Sequence, residues 1–352
     1  MDVLLMILYA VLALGFLVII HEAGHYFASR AFGVRVTEFM LGMPGPSIGF
    51  TKGETRFGVT PIFLGGYAKV CGMEPGPVAK YIKEVLAFCF THGTVDSKQV
   101  AENLAILDKE ACEALEELCE WGCLVRPSEK DKQKLYKTCA LKGRNEKGAP
   151  ISFENAEDLY TQEAARQFRF ISFWKKSVIL LAGVAVNLLC SFVLFVLCFS
   201  VFGVPMPTES GAMEVVYLGP VQAIVGGMNY LASVFGFVVG LFNPVTAGDT
   251  LSNSMSVVGI AVVSKDYAEM GFSSFLLFMA MISASLGVMN LLPIPLLDGG
   301  RWCVEAYQRI RGKVISVKAS NILSIIGVSI FGVLIVVLVG QDILRIATGA
   351  FS

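Results

Sequence analysis

The sequence predicts a mainly α-helical membrane protein: about four transmembrane helices, a membrane-associated β-element and a cytoplasmic helical insert. Three observations predict it. Hydrophobic residues make up 55% of the 352 residues and charged residues only 16%, whereas soluble domains run at about 45–50% apolar with glycine counted and about 25% charged. The apolar residues gather in long uncharged runs. Between two of these runs lies one charge-rich stretch, residues 78–165. This composition excludes a soluble globular enzyme and a disordered chain. The formal net charge of −1 lacks the basic excess that phosphate backbones require, so no nucleic-acid partner is expected.

Residues 1–30 read as the first transmembrane helix. Val3 to Ile20 carries no charge over eighteen residues, enough to cross about 27 Å at about 1.5 Å per residue. It lacks a basic leading region and a small-residue cleavage site, so it is expected to be retained rather than removed as a signal peptide. At its inner end stands His21-Glu22-Ala23-Gly24-His25. Histidines four apart share a helical face, so both imidazoles can reach one Zn²⁺. Glu22 can take a proton from a metal-bound water, whose pKa zinc lowers to about 7. A helix with a chance polar patch explains the motif poorly, because ionisable groups at a membrane span are costly and functional by default.

Residues 31–77 form the predicted β region, with Arg56 to Val70 placing Phe57, Val59 and Phe63 among turn-forming glycines. The insert, 78–165, reads largely as helix. Ser97 to Leu107 and Lys109 to Trp121 show three- and four-residue apolar spacing through Leu104, Leu107, Ala111, Leu115 and Leu118, and Gly122 stops the second. Cys123 to Pro127, a charged turn at Ser128 to Lys132, and Leu135 to Thr138 predict a hairpin; two helices followed by a hairpin loosely resemble a winged-helix unit. Mixed charge does not imply nucleic-acid binding here. Cys112, Cys119, Cys123 and Cys139 lack the paired two-residue gaps of zinc ribbons and are expected to act as small hydrophobes. His92 is expected to be structural or solvated.

Residues 166–203 hold the second span, Ser177 to Gly203, preceded by Lys175-Lys176. Residues 204–271 are expected to be an extracytoplasmic or membrane-surface segment. Val215 to Gly248 is long and uncharged, but Gly226-Gly227, Asn229, Asn243 and Pro244 interrupt it, and it is not expected to cross. Residues 30–176 hold 21 Lys/Arg and 299–318 hold five, whereas 203–272 hold only Lys265 against five acidic residues. Cytoplasmic loops carry the Lys/Arg excess, which puts the first two segments inside and the N-terminus outside. None of the nine cysteines falls in 203–272, in keeping with that side being oxidising.

Residues 272–300 carry the third span, Phe272 to Leu297, and with it the candidate third ligand. Catalytic zinc takes three protein ligands and an open position. No further histidine is well placed, so a carboxylate is expected, and Asp298 ends Asn290-Leu-Leu-Pro-Ile-Pro-Leu-Leu-Asp-Gly-Gly. Pro293 and Pro295 cannot continue a regular helix, and Gly299-Gly300 permits close backbone approach. Asp298 reaches the depth of His21 only if the first and third spans run the same way, which again requires 215–248 not to cross. Residues 301–352 complete the chain with a cytoplasmic loop and a fourth span, Ala319 to Gln341.

The two motifs, His-Glu-Ala-Gly-His and Asn-x-x-Pro-x-Pro-x-Leu-Asp-Gly, together resemble the site-2 protease family of intramembrane zinc metalloproteases, above all its bacterial members that cleave anti-sigma factors. Phe63-Leu-Gly-Gly-Tyr-Ala-Lys-Val and Ala182-Gly-Val-Ala-Val-Asn187 add to the likeness, which covers roughly residues 1–75 and 168–320. The resemblance implies a zinc metalloendopeptidase of the bacterial cytoplasmic membrane, its active site toward the cytoplasm. It implies cleavage of single-span membrane proteins within the bilayer, such as anti-sigma-factor-like proteins or signal-peptide remnants. It further implies that His21, His25 and Asp298 hold zinc, that Glu22 is the general base, and that Asn290 positions substrate or steadies the oxyanion. Asn187 would support the substrate helix or serve helix packing. The β region would lie beside the active site, where an exposed edge could take the substrate as an added strand and unwind it; a plain cytoplasmic hairpin is the alternative. Two features depart from the family. About a dozen residues separate Pro207 from Gly219, too few for the PDZ domain that bacterial relatives carry there. The 78–165 insert exceeds the family's loop and is a passive insertion, a gate, or a site for a cytoplasmic partner. A catalytically inactive scaffold or carrier of the same fold is the competing reading, disfavoured by Glu22. A prenyl-protein protease is disfavoured by Asp298 standing where a later Glu is expected.

Overall fold

The computed structural model describes residues 2–62, 65–127, 133–140, 146–208 and 212–349. Phe63 and the predicted turn at Ser128 to Lys132 lie outside the described residues. In chain order the elements are α1 (Asp2–Ala31), β1 (Val36–Leu41), β2 (Ile48–Lys52), β3 (Thr55–Val59), β4 (Gly66–Val70), α2 (Ile82–His92), β5 (Thr94–Val95), α3 (Ser97–Leu104) and α4 (Asp108–Glu120). They continue with β6 (Leu124–Val125), β7 (Tyr136–Thr138), α5 (Ala156–Ala164), α6 (Phe173–Val196), β8 (Val204–Pro207), β9 (Met213–Val216) and α7 (Pro220–Leu241). The chain ends with α8 (Ala247–Ser252), α9 (Val257–Glu269), α10 (Phe272–Asn290), α11 (Asp298–Arg311) and α12 (Val317–Thr348). It is a mainly α membrane protein that divides into two compact units, Met1–His25 with Leu180–Ala306 and Asn321–Ser352, and Tyr26–Ile179 with Tyr307–Ser320.

In the first unit three helices set the directions. Gly24 of α1 lies against the backbone of Ala182 in α6, while Ala13 and Leu17 share a core with Leu194 and Phe195, so α1 and α6 are antiparallel. Ser283 of α10 donates its hydroxyl to the Asn187 carbonyl at 2.8 Å, and Cys198 reaches the carbonyl of Ser273; α10 is therefore antiparallel to α6. It follows that α1 and α10 are parallel, and the Tyr9 and Phe275 rings, 5.6 Å apart, mark their common starting end.

Among the described residues, five helices, against the about four expected, are long and apolar enough to cross a membrane. The added one is α7, where glycines were expected to break the chain. A helix satisfies its own backbone hydrogen bonds, which an apolar medium rewards more than intrinsic propensity. Gly227 is also useful there, since a Cβ would stand 3.0 Å from the Phe195 ring and 3.2 Å from Phe192. The segment that contains α7 nevertheless leaves and returns at one end of α6: Leu218 donates its N–H to the Phe199 carbonyl at 2.8 Å, and Phe202 packs on Phe272 at 5.4 Å. Pro207 and Met213 close a hairpin of β8 and β9 in between.

The fourth predicted span extends further than its apolar run, as α12 carries Asp342 and Arg345 in its last turns. Asp342 is fully buried and caps another helix. Its Oδ2 accepts the N–H groups of Ser256 at 2.6 Å and Gly259 at 3.1 Å, the orphan donors at the start of α9. Arg345 Nη1 donates to Asp342 Oδ1 at 2.9 Å and to the Ser254 carbonyl at 2.8 Å. Removing one partner of such a buried pair leaves a charge and two donors unmatched, at about 3–5 kcal/mol. Asp342→Ala is accordingly expected to lower the thermal unfolding midpoint of the detergent-solubilised protein by several degrees. An unchanged midpoint in circular dichroism melting would refute the cap.

The second unit joins a four-stranded sheet, ordered β2-β3-β1-β4, to the insert. All four strands lie within residues 31–77, the stretch expected to be β-structure; β4 and all but the first residue of β3 fall in Arg56 to Val70. Phe39 and Phe57 pack with Tyr26 on one face, and β2 is exposed along its whole length. The insert has its own core, built on Val85, Leu86, Val100, Leu115, Leu118 and Trp121. Its order α2-β5-α3-α4-β6-β7, with strands arranged β5-β7-β6, is that of a complete winged helix; the sequence showed only the last two helices and the hairpin. Arg35, 2% exposed, ties this core to the sheet's approach. It pairs with Glu163 at 2.8 Å and Glu54 at 3.3 Å and donates to the Trp121 carbonyl at 2.9 Å.

Candidate functional site

The face of α1 that packs on protein repeats at helical spacing: Ala10, Ala13, Leu17, His21, and then Gly24 and His25 are buried. Val3, Leu4, Ile7, Leu8, Val11, Leu12, Phe16 and Ile19 are exposed and apolar, as lipid contact demands. The two histidines thus extend the packing stripe, and their imidazoles turn inward because the opposite face belongs to hydrocarbon. The stripe can carry rings this large because α6 offers a glycine there. A Cβ on Gly183 would stand 2.4 Å from His25 Nε2 and 2.8 Å from His21 Nε2.

The third member arrives from α11. After α10 ends at Asn290, residues 291–297 fold back so closely that a Cβ on Gly299 would lie 2.2 Å from the Leu291 oxygen, and one on Gly300 2.0 Å from that of Ile294. The paired glycines therefore permit close approach as expected, and Asp298 opens a new helix rather than ending the third span. Its Oδ2 lies 3.0 Å from His21 Nε2 and 3.2 Å from His25 Nε2, and the two nitrogens are 3.3 Å apart. Among the described residues, His21, His25 and Asp298 are the group of three whose ligand atoms all lie within 4.8 Å of one another.

Three such atoms facing one another at this range are held by protons shared between them or by a cation among them. Zinc takes nitrogen and oxygen ligands at about 2.0–2.2 Å in tetrahedral array, which separates ligand atoms by roughly 3.3–3.5 Å. The residues present fit that ion. Glu22 is half-buried on the same helix. Asn290 is not part of the cluster; its amide donates to the Leu286 carbonyl at 3.0 Å. Asn187 was read as a substrate or packing residue, yet its carboxamide lies 3.3 Å from His21 Nδ1. Nothing in the sequence signals that approach, because 166 residues separate the pair.

Among the described residues, the cysteines of the insert join no group of three ligand atoms within 4.8 Å of one another. Burial pushes Cys89 up to about 12 and raises Cys119, Cys123 and Cys139 as well. Protonated thiols of this kind pack as small hydrophobes. His92 stacks on Phe88 and shares a hydrogen bond with its carbonyl.

The model of peptidase family M50 matches residues 9–334. The chain belongs to peptidase family M50. It is similar to the M50 relative "Zinc metalloprotease RasP" of Oceanobacillus iheyensis, at 25% identity over 96% of this chain and 98% of the relative. A "Putative zinc metalloprotease" of Clostridium acetobutylicum is 26% identical over 96% of this chain and 97% of its own length. One of Agrobacterium fabrum is 25% identical over 95% and 94%. The alignment with RasP runs to 426 positions against 352 residues here, so that relative carries segments this chain lacks. As an M50 peptidase the chain is an intramembrane zinc metalloendopeptidase acting on membrane proteins in the bilayer.

Membership sharpens what Gly183 must do. Gly183→Val would push a branched side chain into both imidazoles, and neither ring can retreat into the packed stripe. The variant is expected to lose at least nine-tenths of its bound zinc, as read by metal analysis of the purified protein. Stoichiometric zinc in that variant would contradict the close approach.

Proposed function

We propose that His21, His25 and Asp298 are the zinc ligands of this M50 peptidase and that Glu22 is its general base. The observation that carries the reading is the convergence of Asp298 Oδ2 on both Nε2 atoms at 3.0 and 3.2 Å from a helix 273 residues further along the chain than His25. Zinc, when bound there, supplies an acidified water and a positive charge to polarise a carbonyl. Glu22 receives the proton of the attacking water on its carboxylate and delivers it to the leaving amide nitrogen, so that the peptide bond breaks into a free acid and a free amine. Asn290 turns from Leu286 to donate its amide to the carbonyl oxygen as charge builds on it. The exposed apolar stripe of α1 and the burial of His21 and His25 limit the access of bulk water to the reaction.

The substrates are single-span proteins of the anti-sigma-factor-like or signal-peptide-remnant kind, cleaved in the bacterial cytoplasmic membrane with the site toward the cytoplasm. The excess of Lys/Arg in residues 30–176 and 299–318 supports that orientation. Peptide bonds in a helix are shielded, so the substrate must unwind first. Strand β2, open at the sheet edge with Ile48 and Phe50 exposed, supports strand addition as the means. The winged-helix insert docks a cytosolic protein rather than nucleic acid. Residues 78–165 hold 12 Lys/Arg against 16 Asp/Glu, without the basic excess that binding a phosphate backbone requires. Cleavage of a reconstituted single-span substrate, with metal content measured in parallel, tests the assignment of ligands and base.

A further inference from the structure

We infer that Asn187 is a positioning residue for the metal centre, holding His21 in the tautomer and orientation that zinc requires; this rests on His21 being a ligand. A neutral imidazole that presents the Nε2 lone pair to a metal carries its proton on Nδ1, and that N–H needs an acceptor. The Asn187 carboxamide is the side-chain group placed for it, 3.3 Å from Nδ1, on a residue only 1% exposed.

A second observation decides which end of the amide faces the ring. Nδ2 is the end that lies toward Nδ1, while Oδ1 is buried without a hydrogen-bond partner among the described residues. A buried carbonyl oxygen left unpaired costs about 1–3 kcal/mol. The two ends of a carboxamide have nearly the same shape, and their assignment follows from the hydrogen-bond network. Turned over, Oδ1 accepts the Nδ1–H of His21, and one rotation satisfies both groups. The backbone of Asn187 is fixed at the same time, because Ser283, itself fully buried, donates to its carbonyl at 2.8 Å. Next to it, Leu188 fills the space over Gly287, where a Cβ would meet its Cδ2 at 2.7 Å. A single α6 residue thus couples the imidazole on α1 to α10, the helix that leads to Asp298.

Outer partners of this kind, when removed, typically weaken metal binding 10–100-fold. Zinc affinity of the full-length protein in detergent, measured by chelator competition, is expected to fall by that factor in Asn187→Leu and to stay within about threefold of wild type in Asn187→Asp, which keeps the acceptor. Because the chain has three histidines, nitrogen-15 histidine labelling supplies a second readout. The His21 Nδ1–H resonance of the zinc-loaded protein should persist against solvent exchange in wild type and Asn187→Asp, and be lost to exchange in Asn187→Leu. If the Leu variant fails to fold, Asn187→Gln, which displaces the amide by one methylene, is expected to show the same weakening at unchanged helicity. Wild-type affinity in Asn187→Leu or Asn187→Gln, with Nδ1–H exchange unaltered, overturns the inference. His21→Ala separates the two claims: full zinc retention there overturns the ligand assignment itself, whereas zinc loss there beside an unaffected Asn187→Leu overturns the positioning role alone.

Discussion

Glu22→Gln is expected to abolish cleavage of a reconstituted single-span substrate while leaving zinc stoichiometric. General-base catalysis contributes typically 10²–10⁴-fold, so the residual rate should fall by about that factor. The substitution changes one oxygen to an amide and removes the ability to hold a proton. It leaves alone the contacts that place the ligands, which depend on Gly183, Gly24 and the α1 packing stripe. Activity and metal content should therefore separate, and that separation marks a base rather than a ligand. Cleavage by the Gln variant at the unmutated rate would remove Glu22 from the mechanism. Parallel loss of zinc and activity would instead make it part of the metal's coordination.

Asp298→Ala is expected to do the opposite and lose both together. Without the carboxylate, two neutral imidazoles remain, and a structural or catalytic zinc site is not built from two ligands. Metal analysis of purified protein should fall from one zinc per chain to a small fraction. Asp298→Asn is the finer probe: it keeps volume and hydrogen bonding but not the negative charge, and should bind zinc weakly. The backbone around residue 298 is held by the fold-back of residues 291–297 onto Gly299 and Gly300, so the loss would be chemical rather than a collapse of the loop. Retained stoichiometric zinc in the Ala variant would break the ligand set, and with it the account of how the enzyme works.

The histidine pair and the distant carboxylate that meets it were legible because each obeys a local rule. Histidines four apart share a helix face, and an aspartate after Pro293 and Pro295 at the end of an apolar run needs a reason to be there. The common direction of α1 and α10 followed from the charge distribution once that carboxylate had to reach the imidazoles. The illegible parts depend on tertiary context. Regular helix over α7 runs against the propensity of its glycines. Strand β5 is two residues long, too short for any periodic signal, so the winged helix showed only its second half. Asp342 lay one residue past the predicted span, and its role required knowing that α9 begins beside it. The carboxamide of Asn187 could be placed on the second span, but not against an imidazole on the first.

The polypeptide between α6 and α10 departs and comes back at one level of the bundle. Such a tether can lengthen or shrink, or accept a whole foreign module, without reversing the sense in which any later helix is threaded. Chemistry assembled from the two halves of the chain is in that way insulated from whatever variation accumulates in that tether.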